Sequence, residues 1–539
     1  MSVYVPLPGS SKALLPHSRP AGPIDPAEVA SITVRVRSVG NPKALEQMAY
    51  KLASTPLEKR QYLTHEALES QHGASKDDLD AVEHFAHQHD LMVVHRSAAE
   101  RSVVLKGALG HLLSAFHADV RMYHHASGTY RGRKGELSLP EELGGIVTGV
   151  FGLDTRPRQR HSRRGRGATH SGPGGANGVA ATEFAKRYNF PAKQGGTTLD
   201  GSGQTIAIIE LGGGFRSGDL NVFFQEIGVP EPKVAAISVD HAGNDPTTPD
   251  SADGEVMLDI EVAGAVAPKA NFAVYFAPNN GDKGFLDAIS AAVHDAQRKP
   301  SVISISWGGP ENASDMQGIN AFHELFAAAG ALGITICIAS GDHGTADLDA
   351  EHWDGKIHVD HPACDDLVLG CGGTQITSKG QDVVWNDGTP FDPGVGDGGG
   401  WASGGGISTI FPVPSYQTGA HLPVSIDTRK PGRGVPDIAM SATNYFTRVD
   451  TDEGASGGTS AVAPLMAALV ARLNQAKKKN VGFLNPFLYA NVSKGVVTDV
   501  TQGTNAITRT VKGYTAGKGW DACTGLGTPD GMTILNNLP

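Results

Sequence analysis

Residues 301–340 read SVISISWGGPENASDMQGINAFHELFAAAGALGITICIAS. Two apolar runs, SVISISWG (301–308) and ITICIAS (334–340), bracket NAFHELFAAAGALG (320–333), whose apolar residues recur at three-to-four spacing. A fully apolar strand must be covered on both faces, and a strand, a helix and a second strand in that order imply a right-handed crossover within a parallel sheet. The pattern repeats outward. QTIAIIEL (204–211), NFAVYFAP (271–278) and LVLGCGG (367–373) read as further strands, and GEVMLDIEVAGAVA (254–267) and FLDAISAAVHDAQ (285–297) as further helices. Residues 179–539 are therefore predicted to form an α/β unit, a parallel sheet with helices on both faces. Sites in such sheets gather at the carboxyl ends of the strands.

A different pattern precedes it. Residues 1–30 are rich in Pro and Ser and are expected to form a disordered arm. Over 31–155, SITVRVRS, LMVVHRS and SVVLKG read as strands, with helical segments such as NPKALEQMAYKLAST and SKDDLDAVEHFAHQHD between them, which predicts a compact α+β domain. Residues 156–178, RPRQRHSRRGRGATHSGPGGANG, hold six arginines by Arg166, then glycines, and almost nothing apolar. Such a stretch cannot pack a core and is expected to be an exposed linker, where nicking concentrates. The new chain is then expected to begin near Ser171.

Charge divides along the same boundary. Residues 1–170 carry 22 Lys and Arg against 17 Asp and Glu, and 13 of the 21 histidines; the remainder carries 23 against 39. A weakly basic first part and an acidic second part are expected to attract. Acidification would charge histidines such as His84, His87 and His89 and loosen that attachment. No basic face with interleaved aromatics suggests nucleic acid as a partner. No apolar run approaches the roughly 20 residues that span a bilayer, so no membrane association is expected. The N-terminus lacks the apolar core of a standard signal peptide, so an export route is not visible. Of the four cysteines, none has CxxC spacing; Cys337 reads as a buried free thiol, and a Cys364–Cys371 bridge is left open.

Three motifs carry chemistry. In GGTSAVAP (457–464), a glycine turn delivers Ser460 to the start of the helix LMAALVARLNQ, which suits either an exposed nucleophile or a helix cap. A serine needs a base. His343, in HGT, is one candidate, but Ala346-Asp347-Leu348-Asp349 follows it where a helix would be needed. DGEVMLDIE (253–261) offers Glu255 and Asp259, four apart and so on one helical face, among apolar neighbours. Two like charges there are costly unless a proton is shared, which suits a general base backed by a second carboxyl. Asp342 ends the strand ITICIAS; protonated, it could donate a hydrogen bond to a developing oxyanion. Asp499-Val500 and GKGWD (517–521) offer carboxylates and glycine-freed carbonyls that suit a hard cation such as calcium.

Taken together, GEVMLD, SWGG, SGD and GGTSAVAP resemble the sedolisin family of serine-carboxyl peptidases, and its kumamolisin branch most of all; the resemblance covers nearly the whole chain. It implies a subtilisin-like fold preceded by a ferredoxin-like propeptide domain that inhibits the enzyme until it is cut off. It further implies Ser460 as nucleophile, Glu255 as general base, Asp259 as its partner and Asp342 as oxyanion donor. Glu210 and Trp307 would be outer members of a carboxyl network, and Ser306, Trp307 and Gly308 an edge that pairs with substrate backbone. One calcium ion would be held by Asp499, Val500, Gly517, Gly519 and Asp521. Met257 departs from the branch, which carries another glutamate there. The resulting expectation is a secreted, extracellular, monomeric endopeptidase of proteins or peptides, acid-active and made as a self-processing zymogen. The rival readings are a neutral peptidase using His343 and an inactive binding protein on the same fold.

Overall fold

The computed structural model describes residues 3–15, 17–125, 128–157, 178–348, 353–388, 401–507 and 513–539, and the backbone of 159–160. The first unit centres on a four-stranded sheet in the order Met92–Ser97, Ser102–Ala108, Val29–Val36, Val147–Phe151, with every neighbouring pair antiparallel. The helices Ala44–Ala53 and Lys76–Gln88 lie between its first and second strands in sequence, and Leu109–Ala115 between the third and fourth. This is the βαββαβ order of a ferredoxin-like fold. The Lys76–Gln88 helix starts where Ser75 Oγ accepts the Asp78 amide at 3.0 Å, with Asp77 and Asp78 in its first turn.

The expected disordered arm is instead part of this unit. Tyr4–Pro6 pairs antiparallel with Ser138–Pro140, Arg19–Gly22 joins a sheet with Asp119–His125 and Gly128–Lys134, and Leu7 is buried. The arm has too little apolar surface to fold alone, and borrows both pairing partners and core from residues more than 100 positions away.

The second unit holds an eight-stranded sheet among the described residues. Its order begins Lys233–Ser238, Asn271–Phe276, Thr205–Glu210, Val302–Ile305, Thr335–Ala339, Leu369–Ile376, all parallel. Ile438–Ser441 adds parallel to Leu369–Ile376, and Asp382–Val384 adds antiparallel to the same strand. Alternate residues of each strand enter separate cores, which is why the runs are apolar throughout. Ile206, Ile208, Phe272 and Cys337 face one core with the helices Asp253–Val266 and Thr459–Lys477. Ala207, Ile209, Ile303 and Ile336 face the other with Asp282–Val293 and Met316–Leu332.

The first unit docks on that second face. Its Ala44–Ala53 helix packs on Met316–Leu332, with Leu45, Ala49 and Ala53 in the shared core. The approach is close: a Cβ at Gly330 would lie 2.7 Å from Ala49 Cβ. Polar contacts surround it. Lys12 meets Asp282 at 2.9 Å, Arg133 meets Asp315 at 2.6 Å, Arg101 meets Glu324 at 2.5 Å, and Tyr50 donates to Asp366. All four cysteines, Cys364 and Cys371 included, are buried free thiols, so no bridge joins that pair.

Candidate active site

Three parallel strands end side by side and each delivers a polar residue. Thr205–Glu210 ends on Glu210, Val302–Ile305 leads into Ser306 and Trp307, and Thr335–Ala339 leads through Ser340 and Gly341 into Asp342. Trp307 Nε1 donates to Glu210 Oε2 at 3.0 Å, and both residues are buried. Glu255 and Asp259 come from the Asp253–Val266 helix, every residue of which is buried. That helix packs along Thr459–Lys477, which begins at Gly458 (φ 109°) and carries Ser460 in its first turn. A side chain at Gly458 would strain that turn. Ser460 is itself fully buried.

One side chain ties these elements together. Ser306 Oγ lies 2.9 and 3.0 Å from the two carboxylate oxygens of Asp259 and 3.4 Å from the Ser460 carbonyl. Ser306 is expected on an edge that pairs with substrate backbone; its hydroxyl turns inward to Asp259. The edge falls to Trp307–Gly308, on which the backbone of Gln159–Arg160 lies antiparallel, Gln159 opposite Gly308 and Arg160 opposite Trp307.

The carboxyls repel one another's charge. Burial, with Asp259 and Glu255 adding, pushes the Glu210 carboxyl well above the carboxylate range, and burial does the same to Asp259. Burial pushes Asp342 up to about 7 against two hydrogen bonds that favour its anion. Those bonds come from the Thr459 amide and Thr459 Oγ1, both at 2.7 Å and both on Oδ1. Asp342 Oδ2 is buried and takes no hydrogen bond among the described residues. Met257, two residues along from Glu255, is on another side of the helix and sits in the apolar core. His343 packs its ring 4.8 Å from that of Trp401.

Sequence reading missed a neighbouring acidic group. Burial, with Asp360, Asp342 and Glu311 adding, raises Asp347 well above the carboxylate range. A Cβ at Gly308 would lie 2.3 Å from Asp360 Oδ1, so only glycine fits between that carboxyl and the edge. Each of these acids is a lone residue in a loop, and no local pattern marks it as buried.

The residues expected to hold a cation lie in the C-terminal loops. Gly519 N donates to Asp499 Oδ2 at 2.8 Å, and Gly517 N donates to Asp521 Oδ2 at 3.1 Å. Asp521 Oδ1 takes the Cys523 and Thr524 amides at 3.0 and 2.9 Å. The Val500 side chain is buried. Elsewhere, His323, Asp365 and Asp366 also group closely. There burial is outweighed by the Asp365, Glu46 and Asp366 carboxyls, which hold the imidazole protonated up to about 11 and paired with Asp365 at 2.8 Å.

Comparison with known proteins agrees with this geometry. Residues 16–156 match the family described as "Pro-kumamolisin, activation domain", and residues 235–487 match the subtilase family. The chain is 43% identical to kumamolisin of Bacillus sp. (strain MN-32), over 99% of this chain and 96% of that one. It is 28% identical to sedolisin of Pseudomonas sp. (strain 101), over 88% of this chain and 80% of the other. A solved structure of Pseudomonas sedolisin, a serine-carboxyl proteinase complexed with two molecules of pseudo-iodotyrostatin, superposes with a TM-score of 0.56 at 28% identity, covering 67% of this chain and 98% of that one. A subtilisin-like sheet with a buried serine and carboxyl set, preceded by an activation domain, thus places this chain in the sedolisin family of serine-carboxyl peptidases, as a zymogen.

Proposed function

We propose that the chain is an acid-active, secreted, monomeric endopeptidase whose zymogen divides into a propeptide domain through about residue 155, a linker over 156–178 and a catalytic domain from 179. The observation that carries this is the meeting of Ser460, Asp259 and Ser306 beside an edge already occupied by the chain's own linker backbone. A peptide lying as Gln159–Arg160 does is held by main-chain bonds, which suits substrate of any sequence.

In this reading Glu255 takes the proton of Ser460 as its oxygen attacks the scissile carbonyl. Asp259, fixed by Ser306, holds a proton beside Glu255 and keeps two adjacent charges from forming. The tetrahedral intermediate is stabilised by Asp342. Its Oδ1 is occupied by Thr459, so its proton resides on Oδ2, and that O–H is the donor. Collapse breaks the C–N bond: Glu255 returns its proton to the leaving amine, the carboxyl-side fragment departs first, and the acyl group left on Ser460 is released as the amino-side product when water attacks it. Protonated Asp342 predominates below about pH 7, which ties the reaction to acid.

Asp499, Asp521 and the carbonyls of Val500, Gly517 and Gly519 make an all-oxygen donor set that fits calcium, which would brace the C-terminal loops rather than take part in chemistry. The expected start of the mature chain near Ser171 lies outside the described residues. With Arg160 opposite Trp307, we place the first cut a short way after Arg160, with trimming toward Ser171 afterwards.

Incubation of the full chain at pH 4, with N-terminal sequencing of the product, tests the reading. The expected result is self-cleavage after Arg160 and within 161–178 for the native chain, and an intact chain for Ser460→Ala. A Ser460→Ala chain that still matures by itself overturns the assignment.

A further inference from the structure

A cavity of about 530 Å³ opens beside the substrate edge, lined by Lys12, Arg156, Pro157, Asp282, Gly308 and Asp315 among others. It continues from the linker: Arg156 and Pro157 stand two to four residues before the Gln159–Arg160 pair that lies on Trp307–Gly308. A bound peptide following the linker's path would send its amino-side residues into this space.

The catalytic unit contributes three carboxylates to it, Asp282, Asp315 and Asp354, and one lysine, Lys356; Asp354 is paired with His358 at 2.9 Å, which leaves Asp282 and Asp315 as the two that face the first unit. A Cβ at Gly318 would lie 3.3 Å from Asp315 Oδ1 and 3.6 Å from Asp282 Oδ2, so the two acids flank one point where no side chain intervenes. Asp315 is fixed as the cap of the Met316–Leu332 helix, accepting the Gly318 amide at 3.0 Å. The nearby Lys283 does not neutralise them; its ammonium is committed to Asp240 at 2.5 Å and Asp287 at 2.9 Å.

In the zymogen their counter-charges come from the first unit. Lys12 reaches Asp282 and Arg133 reaches Asp315, with all four side chains nearly buried. Arg156 lies against the same place, its guanidinium on Asp154 and its charge felt by Asp282. When the first unit leaves, Lys12, Arg133, Arg156 and Asp154 go with it, a net of two positive charges, and these two carboxylates remain in a partly enclosed space. Loss of these two pairs is unfavourable, and a cation delivered there restores the lost pairing.

We propose that Asp282 and Asp315 form a distal acidic subsite of the mature enzyme, which selects substrates carrying Lys or Arg three or four residues before the residue that pairs with Trp307; the position two before it is tested alongside. The first unit fills this subsite with its own Lys12 and Arg133. The inference rests on the peptidase reading and deepens it to a class of substrate.

The test uses self-matured enzyme and a peptide series that shares one scissile bond. Lysine, norleucine or glutamate is walked through those three positions. At one position or more, lysine should exceed norleucine about tenfold in kcat/KM, chiefly through KM, with glutamate lowest. Half-molar salt should shrink the lysine advantage, because the pairing is ionic. Asp282→Asn should bring the lysine-to-norleucine ratio toward one. If that variant does not mature, the native enzyme's substrate ratios and salt dependence decide alone. Equal rates for lysine, norleucine and glutamate at all three positions overturn the proposal. Failure to cut any peptide of the series would instead count against the peptidase reading.

Discussion

The molecule contains two sets of carboxyls, buried or half-buried, that differ in company. Glu210 and Asp342 stand at strand ends and Asp259 on the helix beside them, influenced by burial, by polar neighbours and by other carboxyls. Asp282, Asp315 and Glu324 stand on or beside the helices that face the first unit, and each has a Lys or Arg from that unit within 2.9 Å. The same side chains do opposite work. Without cations, the first set gives up charge and keeps protons near neutrality, which is what acid chemistry needs. With cations, the second set holds two domains together. Burial raises the Asp315 carboxyl as well, against Lys12 and Arg133, but the cations give it a partner across the interface.

The sharpest way to break this contrast is at Asp342. Replacement by alanine removes the oxyanion donor and should cost about 10²–10³ in kcat. Asp342→Asn donates without needing a proton, so its activity relative to the native enzyme should rise as pH passes upward through about 7, where the native donor is lost. Superimposable pH–rate profiles for the two enzymes would remove the protonated-donor role.

On the other side of the contrast, Arg133→Met strips the cation from Asp315 in a pair that is almost fully buried. Loss of one partner of such a pair costs about 3–5 kcal/mol. The zymogen of this variant should melt lower and activate faster, as followed by calorimetry and by gel. An unchanged melting profile would mean that the pair does not hold the units together.

Acid release is the smaller effect and has a definite sign. His84 and His87 are exposed, bonded to Gln88 at 2.8 Å and facing Glu83 at 3.8 Å, away from the interface. At the interface, His65 of the first unit meets the Val293 carbonyl at 3.2 Å and His323 of the catalytic unit meets Glu46 at 3.9 Å, while burial holds His294 of the catalytic unit neutral. Burial pushes His294 down to about 4, with Arg35 and Arg101 adding and the Ser290 carbonyl and Glu100 opposing. Separated, it would return toward about 6.5. The docked form therefore binds fewer protons, and separation is favoured as pH falls from about 6.5 to about 4, with no further gain below. His294→Gln should slow activation a few-fold at pH 5 and leave it little changed at neutral pH. A His84, His87 and His89 triple replacement that shifts activation more than His294→Gln would return the role to the first unit.

The smallest effect is expected from a chelator, because Asp499 and Asp521 belong to loops remote from the serine. Excess chelator should lower the melting temperature by a few degrees, with little change in turnover by the molecules that stay folded. No shift in melting would remove calcium from the loop.

What could be read beforehand follows from how local each signal is. The parallel sheet was legible because a strand buried on both faces must be apolar at every position, as in Ile206–Ile209. Glu255 and Asp259 were legible because helical spacing puts them on one face. The arm was not: Tyr4–Pro6 gains its structure only from Ser138–Pro140. Nor was the inward turn of Ser306, which depends on a helix 47 residues earlier. Asp347 and Asp360 look like ordinary loop acids until the fold closes over them.

The tethering of Gln159–Arg160 to both units has a kinetic consequence. A segment joined covalently to the edge it lies on is present there at an effective concentration on the order of millimolar, whatever the amount of protein in solution. The first cut is then a unimolecular event. Its half-time should not change on tenfold dilution, and a soluble peptide must reach millimolar levels before it competes. Only later cuts, made on strangers, will depend on how crowded the solution is.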